Sequence, residues 1–290
     1  MPPTLKFNAP KQEVNSQLFR SKNDLFKIIR PIGKGGSSTV YSARSQKLEK
    51  NVAIKVFNPD TDDLKARKAC VDELLASQNI QHPNIARTLD AGFDYLNKFI
   101  VMELIEGLEL EPFIEQNRFD EVNFLNFAIQ TLEALAHIHS QQIIHLDIKP
   151  INIMVSQESG NQLQYRIIDF GSAKVLSNQI YDHTVGTRGL AGSVHFMSPE
   201  LINNEIPDER ADIYALGCTF YNVLTQKRPF EGESAIQVIA AHIQGLHTPL
   251  KELCNTVSPS IIALVEKMIS CKREDRPRSA ESILQAIKII

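Results

Sequence analysis

The chain has 290 residues, 43% hydrophobic and 22% charged, with a formal net charge of −3; this is globular composition, long enough to bury a core without staples. Lysine and arginine (31) do not outnumber aspartate and glutamate (34), so no basic surplus points to nucleic acid or an anionic membrane surface. Cys70, Cys218, Cys254 and Cys271 form no C-x-x-C pair and keep no metal-ligand spacing with histidine, which argues against a disulfide scaffold or zinc site and for reduced thiols in a cytoplasmic setting.

Residues 1–22 are polar, carry prolines and read as a flexible leader. They hold no apolar core of a secretory signal, and no apolar run in the chain approaches the roughly 20 residues that span a bilayer. From Leu25 the pattern turns to short strands. Phe26, Ile28 and Ile32 lead into a glycine cluster; Val40, Tyr41 and Ala43 follow it, and then the run Val52-Ala53-Ile54-Lys55-Val56-Phe57. β-rich runs broken by polar turns predict an antiparallel sheet. Over 62–79 the residues Leu64, Ala69, Cys70, Leu74 and Ser77 keep helical spacing, and His82-Pro83 closes the helix. Two more strands are expected at 89–93 and 99–104.

After Gly107 the character changes. Phe124, Phe127, Ala128, Thr131, Leu132, Leu135 and Ile138 recur at helical spacing and predict a long buried helix over 119–140. Further helices are expected over 211–224, 235–243, 258–268 and 280–289. A sheet-rich first third thus precedes a helix-rich remainder, with the boundary between Glu103 and Gly107. A cleft between two such lobes is a natural ligand site. The chain shows no internal repeat and no low-complexity segment.

The glycine cluster Gly33-Lys34-Gly35-Gly36-Ser37-Ser38 admits three readings. A Walker A loop needs G-x-x-x-x-G-K-[ST] opening a helix, and this spacing fails. A dinucleotide fingerprint also opens a helix, whereas Val40-Tyr41-Ser42-Ala43 looks like a strand. Strand, glycine turn and strand is the arrangement that folds over nucleotide phosphates, because backbone without Cβ atoms approaches them closely. Taken alone the cluster is also an ordinary hairpin turn. Likewise Lys55, taken alone, is a strand residue whose head reaches water.

The sharpest signal is His145-Leu146-Asp147-Ile148-Lys149-Pro150-Ile151-Asn152, followed by Asp169-Phe170-Gly171 beyond a Gly160-Asn161 turn, and by Gly192-Ser193-Val194-His195-Phe196-Met197-Ser198-Pro199-Glu200. With these segments the chain resembles the eukaryotic-type (Hanks-type) protein serine/threonine kinases over about residues 25–287. The resemblance implies an α+β, bilobal protein kinase-like fold. An N-terminal antiparallel sheet with one helix would occupy about 23–104, and a mainly helical lobe about 105–290.

It also implies roles. Asp147 would orient the substrate hydroxyl and take its proton, and Lys149 would neutralise charge on the γ-phosphate. Lys55 would hold the α- and β-phosphates of ATP and pair with Glu73, for which Asp72 is the neighbouring competitor. Asn152 and Asp169 would ligate Mg²⁺, with Mn²⁺ as a possible substitute. Gly33, Gly35, Gly36 and Ser38 would cover the phosphates. Val40, Ala53 and Met154 would sandwich the adenine, with Met102 as gatekeeper and Glu103 and Ile105 offering hinge backbone groups. Glu200 would pair with Arg276, Asp212 would anchor the catalytic loop, and Ser193 would contact the catalytic pair. The implied partners are ATP and protein substrates, with autophosphorylation at Ser172, Ser177, Tyr181, Thr184, Thr187 or Ser193 as a further expectation.

Two departures stand out. Leu146 replaces the arginine of H-R-D, which in many kinases binds a phosphate on the activation segment. Activity not strictly dependent on phosphorylation of that segment is therefore expected. Ser38 replaces the third loop glycine and resembles bacterial members, so a bacterial source, or an effector acting in a host cytosol, is a secondary expectation. Two other readings fit these residues less well. A pseudokinase module would lack one of Lys55, Asp147, Asn152 or Asp169, and all four are present. A small-molecule kinase of similar fold would not need the Ser-Pro-Glu segment that forms a peptide platform.

Overall fold

The computed structural model describes residues 17–57, 63–93, 97–158, 160, 162–176 and 194–289. The chain divides between Glu106 and Gly107 into two compact units.

In the first unit six strands form one antiparallel sheet: β1 (Leu18–Arg20), β2 (Leu25–Lys34), β3 (Ser38–Ser45), β4 (Asn51–Phe57), β5 (Thr88–Phe93) and β6 (Lys98–Glu103), in the spatial order β1-β2-β3-β4-β6-β5. Its helix is α1 (Asp63–Ser77), against an expected 62–79. One face of the sheet buries Phe19, Phe26, Ile28, Ala43, Val52, Ile54, Phe99 and Val101 in a dry cluster. The other buries Phe57 and Ile100 against Ala66 and Cys70 of α1. Because β4 feeds both clusters, it is apolar at nearly every position instead of alternating.

Residues 18–20 correct the sequence reading, which had put them in the leader. They pair with β2, and Phe19 is 2% exposed with its ring edge-on to Phe99 at 5.3 Å. A three-residue strand with one inward side chain is too short to show a period.

The second unit opens with β7 (Leu108–Glu109) and α2 (Leu110–Gln116) and continues into α3 (Glu121–Ser140). Asp120 caps α3 by accepting from the Asn123 N–H at 2.8 Å. Four short strands follow: β8 (Ile143–Ile144), β9 (Ile153–Gln157), β10 (Leu163–Ile167) and β11 (Lys174–Val175). They form two small antiparallel sheets, β10-β9-β7 and β11-β8. The β9–β10 connection contains Gly160; Asn161 of the expected turn lies outside the described residues.

The rest of the unit is helical: α4 (Pro199–Ile202), α5 (Arg210–Thr225), α6 (Ala235–Gln244), α7 (Leu250–Leu253), α8 (Pro259–Met268) and α9 (Ala280–Ile289). From Ala211 to Thr225 every residue of α5 except Asn222 is buried, so α5 is enclosed on all sides. Phe220 on α5 meets Phe124 and Phe127 of α3 edge-on at 5.2 and 5.6 Å, and Phe127 meets Tyr165 of β10 at 4.9 Å. At Gly217 a Cβ would stand 2.7 Å from the Met268 Cβ, so only glycine lets α5 approach the end of α8 this closely. The segment that carries Asp147 thus leaves directly from an α3 that is packed against α5.

Candidate active site

In the first unit the strand register places the candidate residues together. Gly33 lies opposite Val40, Val40 opposite Lys55, and Ala53 opposite Met102. Residues directly opposite one another, and residues two apart on a strand, share a face. Gly33, Val40, Ala53, Lys55 and Met102 are thus on one face of the sheet. The β2–β3 turn closes with the Gly35 N–H donating to the Ser38 carbonyl at 2.8 Å. A Cβ added at Gly36 would meet nothing within 4 Å, and one at Gly33 only Val40 atoms at 3.8 and 4.0 Å. The fold does not itself demand glycine at these two positions, and the backbone there is open to a close-approaching ligand.

Lys55 is 6% exposed, and its ammonium lies 2.8 and 2.7 Å from the two carboxylate oxygens of Glu73. Glu73 is 3% exposed, while its neighbour Asp72 faces solvent. The Phe57 ring lies 5.6 Å from the same ammonium. Burial pushes the nearby Cys70 thiol up to about 12, which keeps it protonated. Glu103 donates its N–H to the Arg87 carbonyl at 2.9 Å, and Ile105 is 8% exposed.

In the second unit β8 delivers the chain into residues 145–149, and a single 3₁₀ turn (Pro150–Asn152) leads out into β9. Lys149 Nζ lies 2.7 Å from Asp147 Oδ1. Asn152 donates from Nδ2 to the carbonyl and to Oδ2 of Asp147, both at 2.8 Å. The Asp147 carboxylate is thereby gripped on both oxygens while its side chain stays 21% exposed. Register brings Asp169 to the same place: Ile167 pairs with Ile153, and the Ile168 N–H donates to the Asn152 carbonyl at 2.9 Å. Asp169 takes a left-handed φ of 64° and accepts the Gly171 N–H at 3.0 Å. The Phe170 ring packs 5.0 Å from that of the buried His145. Met154 lies half-buried on β9, opposite Arg166 and Glu109.

The donor set suits a hard dication. Asn152 commits its amide nitrogen to Asp147, so its amide oxygen and the Asp169 carboxylate are the oxygens that could hold a metal. Among the described residues no group of three or more His, Cys, Asp or Glu could by itself cage a metal.

One buried charge supports this loop, and a buried ion pair lies further along the unit. Asp212 is fully buried and accepts the N–H groups of His145 and Leu146 at 2.8 and 2.7 Å. Arg276 reaches both carboxylate oxygens of Glu200 at 2.7 and 2.9 Å. Sequence reasoning passed over His139, whose Nε2 lies 2.9 Å from Asp212 Oδ2. A histidine at the end of an amphipathic helix carries no motif by which to find it. Ser177, Tyr181, Thr184, Thr187 and Ser193 lie outside the described residues.

The family model for the protein kinase domain matches residues 26–287. The chain is 36% identical to the serine/threonine-protein kinase PrkC of Bacillus subtilis over 84% of this chain and 36% of that protein. It is 32% identical to a probable serine/threonine-protein kinase of Clostridium perfringens, CPE1738, over 89% of this chain and 37% of that one. It is 30% identical to the human serine/threonine-protein kinase Nek5 over 90% of this chain and 36% of that protein. The chain thus spans well under half the length of these relatives. It belongs to the protein kinase domain family, whose members use ATP and a divalent metal. Among the described residues no helix is long and apolar enough to cross a membrane.

Proposed function

We propose that this chain transfers the γ-phosphate of ATP to serine and threonine hydroxyls of protein substrates. The observation that carries the reading is the Asp147 carboxylate, held on one oxygen by Lys149 at 2.7 Å and on the other by Asn152 at 2.8 Å. Phosphoryl transfer asks a protein for positioning and charge neutralisation rather than covalent chemistry. Asp147 orients the substrate hydroxyl and accepts its proton at the carboxylate. Lys149 stands against the negative charge of the transferred group. A lysine two residues after the aspartate supports serine and threonine as acceptors.

Lys55 holds the α- and β-phosphates, and Glu73 fixes the direction of its ammonium. Gly33, Gly35, Gly36 and Ser38 bring backbone to the phosphates. The first unit offers Val40 and Ala53 as apolar contacts for adenine, with Met102, Glu103 and Ile105, and the second unit offers Met154. Asn152 and Asp169 hold Mg²⁺, or Mn²⁺ in its place. When bound, that ion neutralises phosphate charge and orients the oxygens.

Leu146 supports a further part of the proposal. It lines a void of about 20 Å³ with Phe196, Met197, Leu201, Ala211 and Ala215. The void is also lined by Asp147 and Ile148, and Leu146 brings to it no cation that would call for a phosphate. Activity then does not depend strictly on phosphorylation of the segment between Gly171 and Ser198, although autophosphorylation there is compatible with it.

The test is transfer of labelled γ-phosphate from ATP to a generic basic protein, with acid hydrolysis to identify the labelled amino acid. Phosphoserine or phosphothreonine supports the reading. Label on tyrosine alone, or none despite bound nucleotide, contradicts it.

A further inference from the structure

Tyr214 on α5 and His242 on α6 are both fully buried, and Tyr214 Oη lies 2.6 Å from His242 Nδ1. Burial holds the tyrosine hydroxyl well above its ordinary 10 and pushes the imidazole down to about 3, so the phenol keeps its proton and the ring is neutral. The hydroxyl therefore donates to Nδ1, and the ring hydrogen sits on Nε2. Nε2 is enclosed and finds no side-chain partner. What faces the ring is the backbone of Val194 and His195, whose contact favours a ring hydrogen.

A second link reaches the same place. The Phe230 carbonyl meets His195 Nδ1 at 3.0 Å and can only accept, so Nδ1 of His195 carries a hydrogen and donates it. The Phe230 ring lies 4.2 Å from that of His242, and 6.0 Å from that of Tyr214 at an interplanar angle of 14°. Side chains of α5 and α6 and the Phe230 backbone thus converge on one 3₁₀ turn, Val194–Phe196. That turn adjoins the catalytic loop, because Phe196 and Met197 line the same void as Leu146, Asp147 and Ile148. A protein that presents a hydroxyl to Asp147 lies against the neighbours of Asp147, and this turn is among them.

We propose that His242 is a positioning residue for the protein substrate: from α6 it holds the backbone of Val194 and His195, and with it the surface on which the acceptor segment rests beside Asp147. The proposal rests on the reading of this chain as a protein kinase with Asp147 as its base. His242 is none of the groups assigned to ATP or metal, so its loss weakens use of the protein substrate and spares the nucleotide.

The experiment compares the parent enzyme with His242→Gln and His242→Asn, measuring KM for a generic basic protein, KM for ATP, ATP hydrolysis without protein and melting temperature for each. A glutamine amide nitrogen falls near the Nε2 position and still donates to the turn. An asparagine amide falls near Nδ1, so it keeps a partner for Tyr214 and leaves the turn without its donor. The expected result is a KM for the protein raised roughly threefold to tenfold in the Asn variant, the equivalent of one lost hydrogen bond. The Gln variant stays within about twofold of the parent, and KM for ATP and ATP hydrolysis move by less than about twofold throughout. If the Asn variant does not fold, Tyr214→Phe decides: without the phenol donor the ring hydrogen is no longer confined to Nε2, and the same selective rise is expected. Equal KM for the protein in the Gln and Asn variants, no rise in Tyr214→Phe, or a KM for ATP that rises in step overturns the proposal. A parent enzyme that transfers no phosphate refutes the functional reading instead, so the two failures are distinguishable.

Discussion

Lys55 and Glu73 form a dry, two-pronged ion pair: one ammonium lies 2.8 and 2.7 Å from both carboxylate oxygens, with the side chains 8% and 3% exposed. Burying two charges is offset only when the pair is complete, so removing one partner strands the other. Replacing Lys55 with Met should destabilise the protein by about 3 kcal/mol or more, by the behaviour of broken buried pairs. It should also lower transfer by about a hundredfold, since it removes a fixed positive group from the phosphates. Thermal melting and initial rates read the two effects separately. A variant with parental rates would remove Lys55 from the site.

The Arg276–Glu200 pair makes a different prediction. Besides Glu200, the guanidinium donates to the carbonyls of Ser270, Arg210 and Cys271 at 2.8, 3.0 and 3.0 Å, and it lies over the Tyr214 ring at 4.6 Å. A lysine has neither the planar fork nor enough donors in those directions. Arg276→Lys should therefore lose most of what Arg276→Ala loses, which is expected to be about 3–5 kcal/mol in urea unfolding. Near-parental stability of the lysine variant would mean that charge alone suffices.

A third prediction concerns pH. His247 Nε2 lies 2.7 Å from Glu266 Oε2, and that hydrogen bond holds the imidazole above its ordinary value of 6.5. Burial pulls Glu266 up, but the hydrogen bonds from His247 and the Leu250 N–H prevail and hold it below its ordinary 4.5. The histidine's share of stability is fully present below 6.5 and lost as pH rises through its raised value. The carboxylate's share is present above 4.5 and lost as pH falls through its lowered value. Between those limits the pair contributes most. His242 acts oppositely: burial pushes it down to about 3, so its neutral form costs stability as pH falls below 6.5. The difference in melting temperature between the parent and His247→Gln isolates the pair. It should be larger near about pH 5.5 than near about pH 8.5; the reverse order would contradict the assignment.

A fourth follows from Leu146. Enzyme treated with phosphatase until mass spectrometry finds no phosphate should keep its transfer rate within about threefold, since no H-R-D arginine waits for a phosphate partner. Protein that stays inert until Thr184 or Thr187 is phosphorylated would refute this.

The sequence showed those parts of the fold whose residues carry a period or a motif. The helix expected over 119–140 is Glu121–Ser140, and the run from Val52 to Phe57 lies in β4. β1, β7, α2 and α7 were missed because each has two to seven residues, too few to establish a repeat. The resemblance pointed to Glu73 over its neighbour Asp72 as the partner of Lys55, whereas helical periodicity alone does not separate two residues about 100° apart. The packing of α1 against Phe57 and Ile100 determines which of them turns inward. His139 was invisible for another reason: its role depends on Asp212, 73 residues away.

The most direct test of the account is phosphate transfer by Asp147→Asn beside the parent, with ATP binding measured on both. Asparagine keeps the shape at position 147 but cannot take the proton. The account predicts labelled serine or threonine from the parent, a rate at least about a hundredfold lower in the variant, and ATP affinity little changed. Transfer by the variant at the parental rate, or none by a parent that binds ATP and Mg²⁺, would contradict it.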